Sequence, residues 1–157
     1  MGCEAPSSPR MLLLSTLIAC FHLGLRPSDA LFGEVNVSAP VAEPGVDEAL
    51  RGALLRSLAA RDAVGEGPTL ELVVVEAALT PTVRRDAGGL WYVARLQARA
   101  SVSGHERMFS VQDWVAETGS VPDRAHVFVG LAEALSAQVA AWATSAASAQ
   151  SKPAQTP

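Results

Sequence analysis

The stretch "LWYVARLQARASV", residues 90–102, decides the fold. Tyr92, Ala94, Leu96, Ala98, Ala100 and Val102 share one parity, and Arg95, Gln97, Arg99 and Ser101 share the other. A period of two that separates an apolar set from a polar one predicts a strand buried on a single face. Ser103-Gly104 follows, a pair suited to a two-residue hairpin turn, and "HERMFSVQDWVAE" (105–117) returns as a second strand. Closing the chain there sets Ala98 opposite Phe109, Leu96 opposite Val111, Arg95 opposite Gln112 and Gln97 opposite Ser110. A slip of one residue would turn every one of these side chains to the wrong face, so this register is the self-consistent one.

Working outward, "DAGG" (86–89) reads as a turn, and "TLELVVVEAAL" (69–79) as a strand extended through "TPTV", with Pro81 marking an edge or a bulge. Gly65, Gly67 and Pro68 punctuate the chain before it. Further upstream, Val46, Leu50, Leu54 and Leu58 recur at intervals of four, with Leu55 beside them, the stripe of a helix opened by Pro44 and Gly45. A short strand, "GEVNVSA" (33–39), precedes it. Downstream of the hairpin, Pro122 suits a first helical turn, and Phe128, Leu131, Leu135, Val139 and Trp142 predict a long helix to about Ala143. The fold class is therefore α+β: a small, mostly antiparallel sheet with two helices packed on one face, in the order β-α-β-β-β-α. The other sheet face, with Arg95, Gln97, Arg99, Ser110 and Gln112 and with Trp91 and Trp114 at its rim, meets either solvent or a partner.

With 157 residues the chain has room for one core. A formal charge of −4 argues against nucleic acid as a partner, which would require a broad basic surface. Lys152 is the one lysine among 12 basic residues, so any anion-binding patch is built from arginines, whose planar fork suits phosphate and carboxylate. Both cysteines, Cys3 and Cys20, precede the folded region, and no metal spacing exists. His105-Glu106 lacks the second histidine of a metalloprotease helix, His22, His105 and His126 are scattered, and neither a nucleophile elbow nor a phosphate loop is present. Asp47 and Glu48 suit the first turn of a helix better than an acid and base pair. The expectation is a non-enzymatic protein with no cofactor and no metal.

The amino-terminal run "MLLLSTLIAC" (11–20) is too short to span a bilayer, which takes about 20 apolar residues. An arginine, a short apolar core and small residues have the build of an export signal. Leu17-Ile18-Ala19-Cys20 resembles the bacterial lipobox, which implies cleavage before Cys20 and lipid on its sulfur and new amino group. Triple acylation holds a protein to a leaflet far better than one chain does. An ordinary cleaved signal stays open as the alternative. N-myristoylation at Gly2 is disfavoured by Pro6, where that motif needs Ser or Thr. Translation from Met11 would leave no base ahead of the apolar core, so the start is open between Met1 and Met11.

The lipobox, the following "CFHLGLRP", the segment "VNVSAPVAEPGVDEALRGALLRSLAAR", the three later strands and the long final helix together resemble the LPS-assembly lipoprotein family, LptE, over residues 17–145. "EPGVDEAL" is the most specific local match. The chain departs from the family in lacking Gly after Cys20 and in its alanine-rich, weakly charged second helix. The resemblance implies an outer-membrane lipoprotein, anchored by Cys20 in the inner, periplasmic leaflet. Such a protein plugs an LptD-type β-barrel and binds lipopolysaccharide on its way to the cell surface. The family's glycolipid-contacting bases fall at Arg84 and Arg85 in "TVRRDAGG" and at Arg124 in "VPDRAH", with Arg85 the strongest match. The expected organisation is a signal peptide (1–19), a lipidated linker (20–32), the α+β domain (33–145) and a disordered tail (146–157).

Overall fold

A computed structural model of the chain describes residues 31–84 and 89–150. The elements run β1 (Phe32–Ser38), α1 (Val46–Ala59), β2 (Val64–Val83), β3 (Leu90–Val102), β4 (His105–Ala116) and α2 (Arg124–Gln150). They form one four-stranded sheet in the order β1-β2-β3-β4, parallel between β1 and β2 and antiparallel elsewhere. Helix α1 makes the crossover that a parallel pair requires. The α+β class and the element order are those read from the sequence.

The β3–β4 ladder has the expected register: Ala98 pairs with Phe109, Leu96 with Val111, Arg95 with Gln112 and Gln97 with Ser110. Its turn is Ser103-Gly104, with φ of 50° and 81°, the two left-handed residues of a type I′ turn. On the apolar parity Leu70, Leu72, Val74, Ala94, Leu96, Ala98, Ala100 and Val102 are buried beneath the helices. Val46, Leu50, Leu54 and Leu58 of α1 are fully buried, each side chain contributing on the order of 1.5–3 kcal/mol, whereas Leu55, one position off the stripe, stays exposed. Ser136 of α2 is buried too, and its Oγ donates to the carbonyl of Leu50 at 3.3 Å, joining the two helices.

Three boundaries differ from the sequence reading, each for a physical reason. Strand β2 begins at Val64 rather than at 69. Gly65, Gly67 and Pro68 make an irregularity in the β1–β2 ladder, between the pairs Phe32–Val64 and Glu34–Thr69, instead of a loop. Gly67 permits it, because a Cβ there would lie 2.0 Å from the carbonyl oxygen of Leu31. Helix α2 starts after Pro122, at Arg124, because the Asp123 carboxylate accepts the Ala125 N–H at 3.1 Å and caps the end. It also runs past Ala143 to Gln150, so the tail expected from residue 146 is helical over its first five residues. Ala143 and Ala147 are buried, alanine has the best helix propensity, and the hydroxyls of Thr144, Ser145 and Ser148 bond back to helix carbonyls at 2.7–3.1 Å. Residues 151–157, the expected signal peptide and the expected linker through residue 30 lie outside the described residues. Length and apolar character would let α2 cross a bilayer, but its buried stripe packs on the sheet.

Candidate ligand surface on the open sheet face

The sheet face opposite the helices is set by parity. Strand β3 contributes Trp91, Val93, Arg95, Gln97 and Arg99, and β4 contributes Met108, Ser110, Gln112 and Trp114. A bulge at Val75, between the β2 positions paired with Ala98 and Gln97, shifts the parity of β2. Glu76, Ala78, Thr80 and Thr82 thereby come to the open face, opposite Gln97, Arg95, Val93 and Trp91. Strand β1 ends at Ser38, opposite Val73, so beyond that point β2 is paired only with β3. Pro81, which has no N–H to offer a ladder, sits in this stretch, as the edge reading required. A depression of about 370 Å³ lies here, lined by Glu76, Ala78, Thr80, Pro81, Thr82, Val93 and Arg95.

On the same face, at the end of the sheet where β2 finishes and β3 begins, Arg84 stands over two indoles, 5.0 Å from the ring centre of Trp91 and 5.1 Å from that of Trp114. The arrangement follows from the register. Trp91 pairs with Ala116 and Trp114 with Val93, which makes the tryptophans diagonal neighbours, and Arg84 continues the line of Thr80 and Thr82. Cation–π contacts of this kind stabilise by about 0.5–2 kcal/mol depending on exposure, and Trp114 is 44% exposed. The cluster joins a cation and two aromatic surfaces to a groove of mixed polar and apolar lining, a combination suited to an amphipathic anionic ligand.

Of the other residues singled out by sequence, Arg124 lies apart from this cluster. It is ion-paired with Glu43 in the loop before α1, donates to the carbonyl of Ala77 at 3.3 Å and lies 5.5 Å from the Phe128 ring. Its neighbours are those of a structural clamp. Arg85 and Cys20 lie outside the described residues. Trp91 and Trp114 are visible in the sequence as rim aromatics, but their convergence on Arg84 depends on the bulge at Val75, for which no sequence signal is evident. Among the described residues no group of three or more His, Cys, Asp or Glu side chains is placed to hold a metal ion.

No family model matches the chain, and no curated protein matches it in sequence. Among solved structures it is similar to a minor lipoprotein of Acinetobacter baumannii, with 14% identity, a TM-score of 0.45, and 82% of this chain and 99% of that one covered. A Caulobacter crescentus CB15 protein classed as a lipoprotein shares 19% identity with a TM-score of 0.47, over 76% of this chain and 93% of that one. The PelC dodecamer of Paraburkholderia phytofirmans shares 12% identity with a TM-score of 0.44, over 76% and 91%.

Proposed function

We propose that this chain is a lipid-anchored protein of the bacterial envelope that works by binding rather than by catalysis. In the fuller form of this reading it is the outer-membrane lipoprotein partner of an LptD-type β-barrel, tethered through Cys20 in the periplasmic leaflet, and it engages lipopolysaccharide during delivery to the cell surface. The lipobox and the resemblance of the chain from residue 17 to 145 support the anchor and the partner. The observation that carries the ligand is Arg84 stacked on Trp91 and Trp114 beside the open-face groove. A lipid A headgroup presents phosphates next to an acylated sugar, and a guanidinium backed by indoles meets both chemistries.

The test is lipopolysaccharide binding by purified protein carrying Arg84→Ala or Arg85→Asp. Weaker binding, with an unchanged circular dichroism spectrum and unfolding midpoint, is the expected result. Unchanged binding by both well-folded variants would remove the ligand assignment.

A second reading, a free-standing periplasmic lipoprotein for another envelope ligand, is favoured by one observation. Arg124, one of the three basic candidates, is committed to Glu43. Depletion separates the two: loss of surface lipopolysaccharide follows from the first reading and not from the second.

A further inference from the structure

Strand β4 is an edge strand of 12 residues, and edges of that length are templates for pairing. Two hydrogen bonds establish which of its backbone groups face outward. Glu117 N–H donates inward to the carbonyl of Leu90 at 3.1 Å, and Trp114 N–H donates to its neighbour's carboxylate oxygen, Asp113 Oδ1, at 2.7 Å. With the two-residue turn, this means that odd-numbered residues of β4 bond to β3 while Glu106, Met108, Ser110, Gln112 and Trp114 present N–H and C=O to the open edge.

Two charges interrupt the apolar parity of this strand. Arg107 and Asp113 stand opposite the buried Ala100 and Ala94, on the helix side of the sheet, with Phe109 and Val111 between them. The helix side of the edge is also indented. A groove of about 510 Å³ between β4 and α2 is lined by Arg107, Phe109, Gln138, Ala141, Trp142 and Ser145 among others, and Phe109 meets Trp142 edge to face at 5.6 Å.

We propose that β4 pairs antiparallel with β4 of a second copy of this chain, about a twofold axis at Ser110, to make a continuous eight-stranded sheet. In that register Ser110 faces Ser110 and Met108 faces Gln112, as outward-bonding pairs. Arg107 faces Asp113 of the second copy, and Phe109 faces Val111, in the intervening positions where side chains come closest. The strand is thus self-complementary in charge and in apolar character. Moving the register by two residues sets Arg107 against Val111 with Asp113 opposite His105, or Arg107 against Val115 with Asp113 opposite Phe109, and either shift separates Arg107 from Asp113. In the Ser110-centred register the Trp114 N–H bonds to Glu106 of the second copy, which releases the Asp113 carboxylate to Arg107, and Val111 of the second copy enters the groove beside Trp142.

The experiment uses purified, mature, lipidated protein under mild oxidation, with no barrel or lipopolysaccharide present, so its outcome is independent of the ligand reading. Ser110→Cys is expected to form a disulfide-linked dimer, since paired Cα atoms about 5.5 Å apart lie within bridging range. Gln112→Cys is expected not to, because its two copies are offset by four residues, roughly 13 Å along the strand. In the Ser110→Cys background, Arg107→Asp should reduce dimer by about tenfold or more, and adding Asp113→Arg should restore it. Absence of the Ser110→Cys dimer, equal crosslinking through Gln112→Cys, or failure of the exchanged pair to restore it would overturn the proposal and leave the two charges as devices that keep the edge unpaired.

Discussion

Arg124 and Glu43, 81 positions apart, form an ion pair that fastens the loop ahead of α1 to the first turn of α2. The same guanidinium reaches the carbonyl of Ala77, four residues past the point where β1 stops pairing with β2. Glu43 already has one carboxylate oxygen, Oε2, buried without a hydrogen-bond partner, so removing the arginine leaves a poorly compensated charge. The pair is partly exposed, with 43% and 29% of the two side chains accessible, which places the cost below that of a fully buried pair. Arg124→Ala should lower the unfolding free energy by about 1–2 kcal/mol and Arg124→Lys by less, measured by urea denaturation. A neutral Arg124→Ala would show that the clamp contributes nothing to the fold.

Two glycines should respond in opposite directions. Gly67→Ala drives a Cβ into the Leu31 carbonyl and should cost about 2 kcal/mol or more, with loss of amide protection in β1 by hydrogen exchange. Gly130, on the exposed side of α2, has nothing within 4 Å of an added Cβ. Gly130→Ala should therefore raise stability by about 0.5–1 kcal/mol.

The type I′ turn has serine at its first left-handed position, with φ of 50°. Asparagine tolerates that conformation better, so Ser103→Asn should stabilise the domain by a few tenths of a kcal/mol. Gly104→Ala, at φ of 81°, should destabilise it by about 1 kcal/mol. Thermal midpoints of the two variants, moving in opposite directions, are the check.

If Cys20 is the anchor, the intact mass of the mature protein should correspond to a chain beginning at Cys20 plus a diacylglyceryl group and an N-acyl chain. Cys20→Ala should abolish both the lipid mass and membrane association. A mature chain cut elsewhere and lacking lipid would show an ordinary export signal instead.

The sheet was legible because parity carries so much information. Alternation from Tyr92 to Val102 and the turn at Ser103-Gly104 determine the β3–β4 register residue by residue. Helix stripes were equally plain, since Val46, Leu50, Leu54 and Leu58 are all buried. What remained hidden depends on contacts remote in sequence or on a broken period. The bulge at Val75 changes which β2 side chains join Trp91 on the open face. Glu43 carries no sequence mark that points to Arg124. Alanine and serine after Ala143 read as a low-complexity tail because small residues bury little surface individually, yet Ala147 is covered by the core and continues the helix. Arg84 and Arg124 were both legible as candidates, but only the fold separates Arg84, beside two tryptophans on the open face, from Arg124, held by Glu43.

The functional proposal turns on a partner, and the most direct measurement is the mass and composition of what accompanies the native lipoprotein after gentle detergent extraction. A stoichiometric complex with a far larger outer-membrane barrel, carrying lipopolysaccharide that is lost on Arg84→Ala, is the expected result. Recovery of the lipoprotein without any barrel, under conditions that keep a known LptD-type complex intact, would contradict it.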